Sequence, residues 1–175
     1  INPLANPDGT YFSSDTSVYG SIRQNLNYKD LNREFPERVR GDDPVNFNWQ
    51  PENLAMMQYL WKYKPSLSAN LHGGAEVVNY PWDAIPDKHP DDQWYRYVSK
   101  EFADTAKKLD SGYMSEFPDG ITNGYAWYPV YGGRMDYVTY YLNGREVIIE
   151  LSNNKIPLAT SLNFFWLVNR RSLIN

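Results

Sequence analysis

The stretch REVIIELS, residues 145–152, is a near-continuous apolar run that predicts a β-strand. Within its apolar part VIIELS, residues 147–152, lies one carboxylate, Glu150. An ionised carboxyl group is costly to bury unless it is paired or takes part in chemistry. The strand therefore makes Glu150 a candidate functional residue.

The segments around this strand predict alternating strands and helices. Residues 65–72, PSLSANLH, alternate apolar and polar residues, which suits a strand that carries His72 at its carboxyl end. Residues 110–134 are predicted to be loop, followed by a short turn or helix near Asp136. Strands alternating with helices indicate a layered α/β domain. Helices are predicted over residues 50–65, with Leu54, Met57, Leu60 and Trp61 at helical spacing; over 90–110, with Trp94, Tyr97, Val98 and Phe102 on one face; and over 157–174.

Composition limits the class of protein. A chain of 175 residues with 42% hydrophobic residues is predicted to fold as one globular domain. A net charge of −4 without a basic cluster argues against nucleic acid as a partner. No apolar run reaches membrane-spanning length, and the first residues do not resemble a signal peptide. Because the chain has no cysteine, a zinc site would have to use histidine and carboxylate ligands.

Two groups of polar residues could form a site. His72 and Glu150 both lie at or near the carboxyl ends of predicted strands, where α/β sheets bind ligands. The alternative is that Glu150 faces solvent on an edge strand and His72 satisfies a turn. Arg23, Asn32 and Arg33 could clamp an anion, because guanidinium groups match a carboxylate. The alternative is that they form surface ion pairs.

Read in order, six blocks of sequence resemble the zinc metallocarboxypeptidases, and in particular the branch of carboxypeptidases N, E and D. The resemblance implies a three-layer α/β/α domain with a mixed sheet, of which residues 1–175 would be a single-domain, C-terminal part. The blocks are NPDG at 6–9, DLNREFPE at 30–37, LSANLHGGAEVVNYPWD at 67–83, PDD at 90–92, GITNGYAWYPVYGGRMDY at 120–137 and IELSNNKIP at 149–157.

The resemblance implies a role for each matching residue. His72 matches a ligand of the single zinc ion, and Glu150 matches the general base that takes a proton from zinc-bound water. Arg23 matches the arginine that polarises the scissile carbonyl. Asn32 and Arg33 match the pair that holds the C-terminal carboxylate of the substrate. For Tyr128 the resemblance implies the mobile tyrosine that closes over the bound residue, although it is one of 15 tyrosines.

Asp83 matches an acidic residue that contacts basic C-terminal side chains in this branch, which favours lysine or arginine as the released residue. The alternative is a turn residue after NYPW. The branch usually reads GGMQDY where this chain has GGRMDY, so Arg134 and Met135 are expected near the pocket. A positive charge there would oppose a basic side chain or help bind an acidic one, depending on its direction.

The other two zinc ligands of the family belong to a His-x-x-Glu motif upstream of NPDG, and this sequence has none. We interpret His89 as a surface residue. The sequence is therefore expected to begin partway through the catalytic domain and to be inactive alone, since a catalytic zinc ion takes three protein ligands.

The resulting prediction is an exported, secreted or periplasmic, zinc carboxypeptidase that acts on peptide or protein C-termini, with a cytoplasmic location left open. One alternative is a catalytically inactive relative that binds peptide C-termini through Arg23, Asn32 and Arg33. Another is a different hydrolase on the same scaffold, such as a deacylase, although the carboxylate clamp argues against it.

Overall fold

A four-stranded mixed sheet forms the centre of the structure, a computed structural model that describes residues 2–41 and 48–174. Strand order is β1-β4-β2-β3. Strand β1 pairs with β4 in parallel, β4 pairs with β2 in antiparallel orientation, and β2 pairs with β3 in parallel. The mixed α/β sheet predicted from the sequence is confirmed. The strands are β1 Leu67–His72, β2 Ala75–Tyr80, β3 Ile121–Asn123 and β4 Arg145–Ser152.

Helices cover both faces of this sheet. On one face, α3 and α6 pack against β2 and β4 through a core that includes Val78, Tyr95, Ile149 and Val168. On the other face, α5 contacts β4, and its Tyr137 packs with residues of α2. The helices are α1 Pro7–Thr10, α2 Pro51–Tyr63, α3 Asp92–Lys107, α4 Gly124–Trp127, α5 Arg134–Tyr141 and α6 Leu162–Ile174, and short 3₁₀ turns cover Leu31–Arg33, Pro118–Gly120 and Ala159–Ser161.

The ends of α2 follow the sequence closely. Pro51 occupies the first turn, where its missing N–H costs no helical hydrogen bond. Lys64 adopts a left-handed conformation, with φ of 42°, and its N–H closes the helix on the carbonyl of Leu60. The predicted stop before Pro65 is therefore confirmed. Among the helices of the described residues, none is both long enough and apolar enough to cross a bilayer.

Strand β4 lies inside the sheet, between β1 and β2. Glu150 is only 8% exposed, so the alternative of a solvent-facing edge residue is wrong. The charged residue Glu146 at the start of the same strand is completely buried. A strand covered on both faces needs apolar residues on both sides, which explains its near-continuous apolar sequence.

Three details differ from the sequence prediction. The segment 110–134 is not all loop, because it contains β3 and α4. Strand β2 was not predicted, since its residues are buried on both faces and do not alternate. The buried face of α3 was only partly predicted, because Trp94 and Phe102 pack against the core whereas Tyr97 is 66% exposed. The buried residues of α3 are Tyr95, Ser99, Ala103, Thr105 and Ala106.

Candidate active site

Two adjacent strands bring His72 and Glu150 together. They are register partners at the ends of the parallel strands β1 and β4, so their side chains leave the same face of the sheet. Burial, reinforced by the charges of Arg23 and Arg134, lowers the pKa of His72 to about 4. The imidazole is therefore neutral near pH 7 and keeps a nitrogen lone pair for a metal ion or a proton.

Glu150 is a buried carboxyl group with unused hydrogen-bonding capacity. Its Oε2 atom has no hydrogen-bond partner within the described residues. Burial raises the pKa of Glu150 to about 7, although the nearby charges of Arg23 and Lys155 act in the opposite direction. A carboxyl group that titrates near neutrality is suited to proton transfer.

One cavity of about 380 Å³ opens beside these two residues. It lies at the carboxyl ends of the parallel strands, where α/β sheets commonly bind ligands. All seven residues that the sequence nominated contribute to its wall. They are Arg23, Asn32, Arg33, His72, Asp83, Tyr128 and Glu150.

Asp30 organises the two arginines at the mouth of the cavity. Its Oδ2 accepts a hydrogen bond of 2.7 Å from Nε of Arg23 and lies 4.0 Å from a guanidinium nitrogen of Arg33. Its Oδ1 accepts the N–H of Asn32 and so caps the short 3₁₀ turn that carries the pair. Arg23 and Arg33 therefore do form ion pairs with Asp30, as the alternative predicted. These ion pairs also orient the two guanidinium groups at the cavity.

Asn32 is fixed by the first residue of α5. Its Oδ1 accepts a hydrogen bond of 2.9 Å from the backbone N–H of Arg134. The amide nitrogen of Asn32 then has no hydrogen-bond partner among the described residues, so it remains a donor on the wall of the cavity.

Asp83 lies deeper in the cavity and is 1% exposed. Its Oδ1 accepts a hydrogen bond of 3.0 Å from Asn79, whereas Oδ2 has no partner within the described residues. Asp136 supports the turn by accepting the backbone N–H groups of Asp83 and Ala84. Burial, and then the adjacent carboxylate of Asp136, raise the pKa of Asp83 to about 7.

Gly124 leaves space for the carboxylate of Asp83. A Cβ atom on Gly124 would lie 1.7 Å from Oδ1 of Asp83 and 3.1 Å from Oδ1 of Asn79. Since no real side chain tolerates such contacts, glycine is the residue type that leaves room for both side chains.

Arg134 points away from Asp83. Its guanidinium group binds both carboxylate oxygens of Glu146, at 2.8 and 3.0 Å, and donates to the carbonyl of Ala69. Ser68 completes the cluster by donating to Glu146 at 2.7 Å. Arg134 lines a second, smaller cavity beside His72, so its charge is neutralised outside the pocket of Asp83. Met135 is completely buried and lines neither cavity.

The sequence also predicted a mobile tyrosine at position 128 that covers the bound residue. Tyr128 follows α4 at the cavity wall and is 46% exposed, which leaves its ring room to move.

The interpretation of His89 as a surface residue is wrong. Its half-buried ring packs on Trp82 and Tyr95, with centroids 4.9 and 5.1 Å apart, and its Nδ1 accepts the N–H of Asp91.

The described residues do not by themselves make a metal site. His72 could supply one ligand, but no group of three histidine, cysteine, aspartate or glutamate side chains within residues 2–41 and 48–174 could hold an ion. A catalytic zinc ion takes three protein ligands.

The sequence model of the family described as "Zinc carboxypeptidase" matches residues 1–172. The chain belongs to the zinc carboxypeptidase family. The resemblance inferred from the six sequence blocks is thereby confirmed. This chain is 38% identical to Carboxypeptidase SOL1 of Arabidopsis thaliana, covering 100% of this chain and 35% of that protein. It is 43% identical to Carboxypeptidase D of Anas platyrhynchos, covering 99% of this chain and 13% of that protein.

Solved structures agree on the fold. Carboxypeptidase A from Helicoverpa armigera superposes with a TM-score of 0.75 at 16% identity, covering 99% of this chain and 49% of that one. At such low identity the likeness establishes the fold alone. The chain thus spans about half of that structure and about a third or less of the two curated relatives named above.

Four residues that matter to the site were not found from the sequence. Asn79 precedes Asp83 by four residues in the motif NYPWD, and Gly124 begins α4 within a glycine-rich segment; neither pattern specifies a function alone. Glu146 could have been found from the sequence. Like Glu150, it is a charged residue in an apolar strand and therefore needs a partner when buried. Lys155 gave no such signal, because a single lysine in a polar turn is usually solvated.

Proposed function

We propose that the full-length gene product is a zinc carboxypeptidase that releases single residues, preferentially basic ones, from peptide or protein C-termini. The observation that carries the proposal is the convergence of an arginine-rich clamp, a neutral imidazole and a buried carboxyl group on one cavity. Because the chain covers only part of its relatives, this activity is proposed for the whole protein. We further propose that His72 contributes one ligand to the zinc ion.

The clamp at the cavity mouth supports recognition of a chain end. Arg33 and the amide nitrogen of Asn32 offer N–H donors to a terminal carboxylate, and a guanidinium group can bind both oxygens of a carboxylate at once. Arg23 contributes a second positive charge beside them. A peptide bound there by its terminal carboxylate would present its last peptide bond to His72 and Glu150, deeper along the wall.

Glu150 supports hydrolysis. In its ionised form it accepts a proton from the attacking water, and it then delivers that proton to the leaving amine. Arg23 stabilises negative charge on the carbonyl oxygen as the tetrahedral intermediate forms. The zinc ion of the family supplies Lewis acidity when bound. Tyr128, half exposed at the opening, would cover the bound residue.

The test of this function compares peptides that differ only at the C-terminal carboxyl group. We expect the full-length gene product to release lysine from benzoyl-alanyl-lysine and to leave the C-terminal amide of the same peptide intact, because the amide has no charge for the clamp. Released amino acid is measured by chromatography, with and without a zinc chelator. Cleavage of both forms would contradict a carboxypeptidase. Binding without turnover in the zinc-loaded protein would favour an inactive peptide-binding relative.

A pH dependence should follow from Asp83. A carboxyl group is neutral below its pKa and negative above it, and the pKa of Asp83 is raised to about 7 by burial and by Asp136. We expect the preference for C-terminal lysine over leucine, as a ratio of kcat/KM values, to increase from pH 5 to pH 8. Loss of one partner of a buried charge pair costs about 2–5 kcal/mol, so Asp83→Asn should remove most of this preference at pH 8.

The matched control is Asp87→Asn, which changes an exposed carboxylate four residues further along the chain. It should keep both the preference and its rise with pH. A preference that Asp83→Asn leaves unchanged at pH 8 would show that Asp83 does not bind the released residue.

A further inference from the structure

The carboxyl-terminal end of α2 carries an exposed run of alternating aromatic and basic residues. Trp61, Lys62, Tyr63 and Lys64 read WKYK, and all four are exposed, with Trp61 at 50% and Tyr63 at 59%. We call these four residues the α2 tip. A single exposed aromatic side chain needs no explanation, but neighbouring exposed aromatic side chains indicate a surface that contacts a partner.

The α2 tip lies at the edge of the sheet opposite His72. Two residues, Pro65 and Ser66, connect it to Leu67, the first residue of β1, whereas His72 is the last residue of that strand. Strand residues rise about 3.3 Å each, so the two ends of β1 lie about 17 Å apart. A partner bound at the α2 tip would therefore leave the active-site cavity open to solution.

The two lysines of the α2 tip are not neutralised by carboxylates. Neither lysine forms an ion pair within the part of the chain that the structure describes. Instead, Nζ of Lys62 lies 5.3 Å from the ring centroid of Tyr63, and Nζ of Lys64 lies 5.5 Å from that of Trp61. Residues 53–75 contain no aspartate or glutamate, although the chain has 21 acidic residues. The α2 tip is therefore a local positive surface on an acidic chain.

Helix stability alone explains only part of this arrangement. A cation in the last turn of a helix is stabilised by the helix dipole, which accounts for Lys62. It does not account for Trp61 and Tyr63, which remain about half exposed beside the lysines. Tryptophan and tyrosine rings favour the headgroup region of a bilayer, and lysines near that region are attracted by anionic lipids. The composition of the α2 tip therefore matches an anionic bilayer surface.

A nucleic acid fits the same surface less well. Two lysines neutralise only two phosphates, which gives weak binding at physiological salt. A bilayer adds the transfer of two aromatic rings out of water, and salt does not screen that contribution.

We propose that the α2 tip docks this protein on the surface of an anionic phospholipid bilayer. Trp61 and Tyr63 enter the headgroup region, and Lys62 and Lys64 lie beside the negative lipid headgroups. Docking is peripheral and reversible, because each lysine near such a surface strengthens binding only about 5-fold. The inference goes beyond the proposed function and does not depend on it.

Vesicle sedimentation of the full-length gene product tests this proposal. We expect its partition coefficient to be higher on vesicles of phosphatidylcholine with phosphatidylserine than on phosphatidylcholine alone, and to fall as salt is added. Lys62→Gln with Lys64→Gln should lower binding to the anionic vesicles about 25-fold, since it removes two contributions of about 5-fold. Tyr63→Ala should lower it about 3-fold at low and at high salt, because ring burial is not electrostatic.

The matched control is Lys107→Gln with Lys108→Gln, which makes the same charge change at the end of α3. It should keep wild-type binding, and thermal unfolding followed by circular dichroism shows whether each variant folds. Equal losses in both lysine variants, or no preference of the wild type for anionic vesicles, would overturn the proposal.

Two further measurements separate the alternatives. Binding of duplex DNA or heparin that depends on Lys62 and Lys64, without binding to vesicles, would assign the α2 tip to a soluble polyanion and overturn the bilayer proposal. Release of lysine from benzoyl-alanyl-lysine in the absence of vesicles reports on the proposed function alone.

Discussion

Replacing Glu150 with Gln is expected to lower kcat of the full-length protein by about 10²–10⁴-fold, the usual contribution of a positioned general base. Glutamine keeps the size of the side chain but cannot take up a proton. The dissociation constant of a C-terminal lysine peptide should change by less than about 3-fold, because the clamp and Asp83 remain. Stopped assays give kcat, and calorimetry gives the dissociation constant.

The matched control for this variant is Glu76→Gln. Glu76 lies on β2 next to Val77, the register partner of Glu150, so its side chain leaves the opposite face of the sheet. It lines no part of the active-site cavity. We expect Glu76→Gln to retain wild-type kcat. Comparable kcat values for Glu150→Gln and the wild type would remove Glu150 from the mechanism.

The buried ion pair between Arg134 and Glu146 gives the largest expected effect on stability. Replacing Arg134 with Met, the usual residue of the branch at this position, leaves the carboxylate of Glu146 buried without its partner. Glu146 is completely buried, and the side chain of Arg134 is 14% exposed. Breaking such a pair from one side lowers the free energy of unfolding by about 3–5 kcal/mol. Guanidinium chloride unfolding of the chain measures this change.

Two comparisons complete that experiment. Arg145→Met breaks an ion pair with Asp91 in which both side chains are about 40% exposed, and it should cost about 0–1 kcal/mol. The double variant Arg134→Met with Glu146→Met should recover much of the loss, because it removes both buried charges. If Arg134→Met alone unfolded at the wild-type denaturant concentration, the pair would not stabilise the fold.

Local sequence predicted the elements whose pattern reflects their own burial. Strand β4 was found at its observed bounds, because an apolar run between polar ends is what a strand covered on both faces requires. The start of α2 was found from Pro51, and its stop from Pro65. Strand β2 was missed because AEVVNY neither alternates nor forms a longer apolar run, and its strand conformation depends on pairing with β4.

The buried face of α3 shows where local pattern fails. The large apolar residues predicted the core face, and Trp94 and Phe102 do pack against the core, but Tyr97 is exposed and the fully buried positions include the small residues Ser99 and Ala103. Only the contact between α3 and the sheet shows which face of the helix is covered. The partial burial of His89 was missed because Trp82 and Tyr95, although near in sequence, contact its ring only when the loop and α3 fold together.

The candidate site was more predictable than some of its supporting parts. The residues that carry charge or a lone pair lie in recognisable motifs, and all seven were placed on one cavity. The residues that position them carry no chemical signal of their own. Asn79 and Gly124 become informative only when distances to Asp83 are known.

The missing side chain at Gly124 has a consequence for interpreting related sequences. An aspartate at the position of Asp83 can be presented as it is here only if the facing residue leaves its carboxylate free of steric overlap. If Asp83 selects a basic residue as proposed, a homologue with a bulkier amino acid at the position of Gly124 should lack that preference even when it keeps the aspartate. The residues at the positions of Asp83 and Gly124 should therefore be compared together in related sequences.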